Sequence, residues 1–131
     1  NPDTAKSFHN ETMPKESKKF LREEGGKLRK LTVAKAKAKV KKRSGNLLKG
    51  IKRGKVYSFK GNGGLSIRVY GGKPAHHMHL LEYGHRKVDK DGKEIGFVPG
   101  VHFFEEAAKE FEGIHYKDIQ KFLDEVLDKG L

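Results

Sequence analysis

The chain has 131 residues, of which 34% are hydrophobic and 35% are charged, and its formal net charge is +12. This length suits one domain with a thin core, and no stretch approaches the roughly 18 consecutive apolar residues of a membrane span. The chain contains no cysteine, which excludes disulfides and thiolate catalysis.

The positive charge is concentrated in the first half of the chain. Residues 1–60 hold 19 Lys and Arg against 5 Asp and Glu, giving +14, whereas residues 61–131 carry −2. The first half therefore favours an anionic partner, which could be nucleic acid, an acidic protein face or an anionic surface. The charge predicts the sign of the partner and leaves its identity open.

The chain begins with a polar segment, residues 1–14, which we predict to be either a mobile arm or a short docking segment. A single domain is predicted over residues 15–131. From Lys15 to Lys42, apolar residues recur at three-, four- and seven-residue steps, which predicts a basic helix with an apolar stripe. Gly25-Gly26 predicts a kink or a break into two helices, and Gly45 a left-handed helix end.

The run "AKAKAKVKKR" at the end of this helix is the candidate basic strip. Its cations could neutralise nucleic-acid phosphates, or they could form a solvated helix face whose long stems cover apolar surface. The interleaved alanines and valine argue against single-strand binding, which uses stacking aromatics. The strip consists of Lys35, Lys37, Lys39, Lys41, Lys42 and Arg43.

Two hairpins and a helical region follow. "KVYSFKGNGGLSIRVYGG" predicts a β-hairpin connected by Gly61–Gly64, and "RKVDKDGKEIGFV" predicts a second hairpin with Asp91-Gly92 at its turn. Pro74–Tyr83 between them fits a strand or a short helix. After Pro99-Gly100, a 3–4 spacing of apolar residues predicts a C-terminal helix, or a helix pair divided at Gly113.

The fold class predicted from these elements is α+β, with a basic N-terminal helix, a small antiparallel β-sheet with hairpins, and a C-terminal helix or helix pair. His76 and His79 have helix-compatible i,i+3 spacing, but HExxH and a cysteine partner are absent. No serine lies in a GxSxG elbow. We therefore predict no catalytic, cofactor or metal site, and keep a metal-dependent nuclease as a third hypothesis only.

The order of these pieces resembles the small neck and tail-completion proteins, or minor tail components, of long-tailed bacteriophages. The likeness spans roughly residues 34–110 and rests on "AKAKAKVKKRSGNLLKGI", "KVYSFKGNGGLSIRVYGG", "HLLEYGHRK" and "GVHFFEEAAKE". Ser44-Gly45-Asn46-Leu47 matches the step after the helix, and Glu82-Tyr83-Gly84 matches an acid-aromatic-glycine signature. Phe103, Phe104 and Ala107 match the start of the final helix.

The resemblance implies a structural virion protein that forms a homo-oligomeric ring in the head-tail connector, around the DNA path, without catalysis or cofactor. It implies assembly in the host cytoplasm, location at the neck of the virion, and portal-side, connector and tail-tube partners. The loop from His85 to Pro99 would touch a neighbour. The candidate interface residues are Glu82, Tyr83, Gly84, His85, Arg86, Lys87, Val88, Phe97, Phe103 and Phe104.

Two alternatives to a neck ring stay open, a tail-terminator ring subunit and a free basic nucleic-acid-binding module. The basic strip has two possible orientations in a ring. It would either hold genomic DNA without sequence preference or dock onto acidic surfaces of adjacent rings or the capsid vertex. We favour docking, because strong attraction inside the channel would hinder the passage of a genome.

Overall fold

The structure is a computed structural model that describes residues 2–40, 45–58, 64–75 and 77–129. It confirms the predicted α+β architecture. In chain order the elements are α1 (Pro2–Lys39), α2 (Gly45–Lys49), β1 (Ile51–Arg53), β2 (Tyr57–Ser58), β3 (Leu65–Ser66), β4 (Val69–Gly71), α3 (Met78–Tyr83), β5 (Gly84–Val88), β6 (Glu94–Pro99) and α4 (Phe103–Asp128). No helix in these ranges is long and apolar enough to cross a membrane.

Helix α1 is longer and more continuous than the sequence predicted. It includes the backbone of residues 2–14, where we expected an arm, and it runs through Gly25-Gly26 without a break. A Cβ atom on Gly25 would lie 3.0 Å from side-chain atoms of both Arg53 and Ile67. The missing side chain therefore lets the first hairpin approach the helix closely, and this contact explains the glycine.

The predicted left-handed helix end at Gly45 was wrong. Helix α1 ends at Lys39, and Gly45 is the first residue of the short helix α2. This helix places Leu47 in the core, directly before strand β1. A glycine between polar residues is compatible with a helix start as well as a helix end, so composition alone did not separate the two.

The first hairpin is confirmed, and it is built from two short antiparallel ladders. Strand β1 pairs with β4, with Lys52 opposite Tyr70, and β2 pairs with β3, with Tyr57 opposite Ser66. Hydrogen bonds from Gly54 N to Arg68 O and from Gly72 N to Gly50 O, both 2.8 Å, extend the first ladder at its two ends. Most of the predicted connection, residues 61–63, lies outside the described residues.

The segment from Pro74 to Tyr83 contains the short helix α3, which settles the choice between helix and strand. The second hairpin is confirmed as β5 and β6, with Arg86 opposite Phe97. Its turn is fixed by Asp89, whose Oδ1 accepts the N–H groups of Asp91 and Lys93 at 2.9 Å. Helix α4 continues through Gly113, so the C-terminal region is one helix.

The core lies where α1, the first hairpin and the start of α4 meet. Ile51 and Phe103 are its largest fully buried apolar side chains. Lys27 contacts Asp118, and Lys39 contacts Glu106, so α1 and α4 pack antiparallel. The buried cluster consists of Ala36, Val40, Leu47, Ile51, Met78 and Phe103.

A polar cluster crosses the middle of the α1–α4 contact. His115 Nδ1 lies 2.7 Å from Oε1 of the buried Glu24, and Lys27 Nζ lies 2.7 Å from Asp118 Oδ2. Burial raises the pKa of the Glu24 carboxyl, and the hydrogen bond from His115 opposes that rise. The hydrogen bond from Lys27 lowers the pKa of Asp118. The buried carboxyl is thus paired with polar groups from the other helix.

Two phenylalanines give a matched test of this core. We expect Phe103→Ala to lower the free energy of unfolding by about 3–5 kcal/mol, because it opens a cavity at a fully buried position. Phe97→Ala, on the exposed hairpin, should change it by no more than about 0.5 kcal/mol. Urea unfolding of the monomer measures both. Equal losses for the two variants would contradict this placement of the core.

Candidate functional site

The acid-aromatic-glycine step lies where helix α3 meets the second hairpin, and its acid is buried. Glu82 is 3% exposed, and its two carboxylate oxygens accept the N–H groups of Phe104 at 2.8 Å and Glu105 at 3.0 Å. These are the first backbone donors of α4, which helices leave unpaired. His102, at the N-cap position, makes no side-chain cap bond. Glu82 therefore caps α4 from another helix.

Two glycines let the chain pass closely over itself at the base of the second hairpin. Gly84 has φ +85°, and a Cβ atom there would lie 2.4 Å from the carbonyl oxygen of Val98. A Cβ atom on Gly100 would lie 2.2 Å from the carbonyl oxygen of Glu82. Neither position tolerates a side chain without movement of the backbone. The base of the hairpin is thus fixed against α3 and the start of α4.

Beyond this fixed base, the hairpin presents large apolar side chains to solvent. Tyr83 is 69% exposed, Phe97 61%, Ile95 55% and Val88 54%. Every residue of β6 is exposed, so the body of the protein leaves this strand uncovered. An isolated two-stranded hairpin is marginally stable in water. An exposed apolar hairpin on a rigid base is typical of an interaction site.

The predicted interface residues divide into two groups. The exposed group lies on the hairpin or at its base and comprises Tyr83, Arg86, Lys87, Val88 and Phe97, with Gly84 and His85 partly buried beside them. The other group is internal. Phe103 is fully buried, Phe104 packs against the core, and Glu82 is the cap, so these three residues hold the site in place and offer a neighbour little surface.

The predicted basic strip is partly neutralised within the chain. Lys35 pairs with Glu110 and lies 3.5 Å from Glu106, while Lys39 pairs with Glu106 and donates to the carbonyl of Val101 at 3.3 Å. Lys37 is exposed. The remaining members, Lys41, Lys42 and Arg43, lie outside the described residues. Lys35 and Lys39 therefore stabilise the packing of α1 on α4.

A second exposed apolar surface lies on the C-terminal half of α4, and our sequence reasoning did not separate it from the core. Tyr116, Leu123 and Leu127 are 63%, 50% and 65% exposed. Their spacing of seven and four residues places them on one face of the helix, which we call the α4 stripe. The 3–4 spacing identified the helix, but it could not show which apolar residues face α1.

Within the described part of the chain, no group of three or more His, Asp and Glu side chains could hold a metal ion. His77 and His79 are exposed, and His76 lies outside the described residues. Two hollows of the described structure are open surface grooves. One lies beside Met78 and Tyr83 and another beside Thr32 and Ala108.

Glu82 gives the first test of the site. We expect Glu82→Ala to lower the free energy of unfolding by about 1–3 kcal/mol, because two buried N–H groups at the start of α4 lose their acceptor. Glu94→Ala, an exposed acid on β6, is the control and should have little effect. Urea unfolding measures both, and hydrogen exchange at Phe104 and Glu105 should quicken only in Glu82→Ala.

Glu106 gives a pH test of the strip. Lys39 lowers the pKa of its carboxyl below the ordinary 4.5. A carboxyl with a lowered folded-state pKa adds stability above its unfolded pKa and loses it as the pH falls through the folded pKa. Between about pH 7 and pH 3, Glu106→Gln should therefore lose less stability than the wild type. Glu112→Gln, exposed on the same helix, should follow the wild type; identical curves for all three would refute the pairing.

The model of a protein family matches this chain over the region that contains α1, the first hairpin and α3. The family model described as "Bacteriophage HK97-gp10, putative tail-component" matches residues 3–84. The match covers more than half of the chain and ends at Gly84, the glycine of the acid-aromatic-glycine step. No curated protein and no solved structure matches the chain. The chain belongs to the HK97-gp10-like family of bacteriophage tail components.

Proposed function

We propose that this protein is the subunit of a homo-oligomeric ring at the head-tail junction of a tailed phage, around the path of the DNA. Family membership makes the chain a structural tail component, and the virion its location. The ring, the junction and the DNA path are our proposal. It assigns the chain no catalytic role and no cofactor. The observation that carries it is the exposed apolar hairpin on a rigid base.

The chain carries two separate apolar surfaces, as a ring subunit requires. The second hairpin precedes α4, whereas the α4 stripe starts 13 residues after Phe103 and ends at Leu127. At 1.5 Å per residue, the stripe lies about 20–35 Å along the helix from the hairpin base. Two different surfaces that bind each other give a head-to-tail contact, which closes into a ring if the rotation is right.

We infer that the hairpin of one subunit docks onto the α4 stripe of the next. Val88, Ile95 and Phe97 would contact Tyr116, Leu123 and Leu127. Full burial of each large apolar side chain contributes roughly 1.5–3 kcal/mol. Several such side chains on each partner are enough to offset the loss of freedom on association, which costs about 4–15 kcal/mol. The exposed charges on the hairpin tip would surround this apolar centre as a polar rim.

A tail-terminator ring subunit is the alternative that shares this geometry. The two differ in their partners, because a neck ring meets portal-side proteins as well as the tail. Co-assembly of purified rings with connector proteins, compared with tail-tube proteins, would separate the two. A free nucleic-acid-binding module would leave both apolar surfaces without a purpose, and for that reason we place it behind the rings.

The first test is native mass spectrometry across protein concentration. We expect the wild type to form a closed oligomer, alone or with a connector partner. Phe97→Ser, in the hairpin, and Leu123→Ser/Leu127→Ser, in the stripe, should each remain monomeric. Lys117→Ser, exposed on α4 away from the stripe, is the matched control and should assemble. A wild type that stays monomeric at every concentration and with every connector partner would overturn the proposal.

Mixing the two variants tests the head-to-tail geometry directly. The stripe variant keeps an intact hairpin, and the hairpin variant keeps an intact stripe, so one mixed pair has one working contact and cannot extend. We expect a 1:1 mixture to give a heterodimer and nothing larger. A contact between two hairpins would instead give a homodimer of the stripe variant and no heterodimer, which would contradict the docking that we infer.

A further inference from the structure

The first hairpin belongs to a part of the chain whose charged residues are all positive. No Asp or Glu occurs between Glu24 and Glu82, and the intervening residues include 16 Lys and Arg. The structure separates these cations into two sets. Three of those on α1, Lys27, Lys35 and Lys39, lie against carboxylates of α4.

The cations of the first hairpin have no such compensation. No described residue between positions 45 and 75 takes part in an ion pair. The described cations in this range are Lys49, Lys52, Arg53, Lys55, Arg68 and Lys73. Arg53 donates to the carbonyl of Arg22, and Arg68 lies over the ring of Tyr70. The first hairpin is therefore a positively charged part of the described chain that forms no ion pair with the chain's own carboxylates.

The outward face of this hairpin carries cationic and aromatic side chains. Ile51 points into the core, so its neighbour Lys52 and the opposite Tyr70 lie on the other face. The guanidinium of Arg68 lies 4.9 Å from the centre of the Tyr70 ring. Cβ atoms on Gly54 and Gly72 would lie 3.5 and 3.4 Å from that ring, so these two flanking positions place no side chain against it.

We propose that this face, defined by Lys52, Arg68 and Tyr70 and called the cationic sheet face, binds the phosphate backbone of double-stranded DNA without sequence preference. Protein–DNA interfaces are more polar and much more positive than protein–protein interfaces. Among the described residues, no large exposed aliphatic side chain lies on the first hairpin, and five of the seven lie on the second hairpin or the α4 stripe. Tyr70 is held under Arg68, which suits backbone contact rather than base stacking.

This inference deepens the proposed function, because it names the surface that would face the DNA path of the ring. It also assigns contact with DNA to the first hairpin instead of the basic strip at the end of α1. A few lysine and arginine contacts give salt-dependent, non-specific binding, which lets a protein slide along DNA. Such a surface would guide a genome without stopping it.

The test measures binding of the full-length chain to a short labelled duplex, in two unrelated sequences, across a range of salt concentrations. We expect equal affinity for both sequences and a linear fall of log K with log salt. Lys52→Gln/Lys55→Gln/Arg68→Gln removes two cations of this face and the exposed Lys55 of the same hairpin. It should make the slope shallower by about 2–3, since each lost phosphate contact removes about 0.9. Lys18→Gln/Lys117→Gln/Lys121→Gln changes the net charge equally on exposed helix positions and should keep the wild-type slope.

Equal slopes for the two triple variants would overturn the assignment, because net charge alone would then explain the binding. Competition by polyglutamate as strong as that by unlabelled duplex at equal charge would also overturn it, in favour of an acidic protein partner. Phe97→Ser is measured in parallel to separate the two proposals. One outcome is that the wild type forms no ring while Lys52→Gln/Lys55→Gln/Arg68→Gln still has a shallower slope of log K against log salt than the wild type. In that case the ring proposal is wrong and the assignment of DNA binding to the cationic sheet face is supported.

Discussion

The Glu82 carboxylate holds together the parts of the chain on which every other surface depends. It belongs to α3, it accepts N–H groups in the first turn of α4, and the second hairpin begins two residues later at Gly84. Because the two glycines at the hairpin base leave no space for side chains, the cap and the close chain crossing form one unit. The direction of the exposed hairpin relative to α4 follows from this junction.

The three surfaces of the molecule differ in chemistry, and the fold keeps them apart. The second hairpin and the α4 stripe are apolar and lie at different ends of α4, whereas the first hairpin is cationic and packs on α1. The acids of α4 pair with three lysines of α1, whereas the cations of the first hairpin form no ion pair within the described residues. A ring subunit needs this division, because contacts with neighbours and contact with DNA require different chemistry.

Much of the secondary structure was predictable, because periodicity and turn residues are local signals. The second hairpin follows from Asp91-Gly92 between two strand-like runs, and α4 follows from its apolar spacing. The errors occurred where a glycine had two possible causes. Gly25 is buried against Arg53 and Ile67, and Gly45 starts a helix, and neither role is visible without the packed neighbour. The acid-aromatic-glycine step was identified as important, but its acid proved to be a cap.

The sequence alone determined the fold class, the sign of the charge and the residues around which the site is built, since these depend on composition and on spacing along one segment. Only the tertiary structure decided which charges and apolar groups remain available. Lys35 and Lys39 pair with carboxylates about 70 residues away in the sequence and are therefore not available to a partner. Lys52 and Arg68 form no ion pair with the described carboxylates, so their charges remain available. Phe103 is buried and Phe97 is exposed, although both are phenylalanines of the same region. Ion pairing and burial depend on residues that are distant in the sequence, so the pattern of residues along one segment does not predict them.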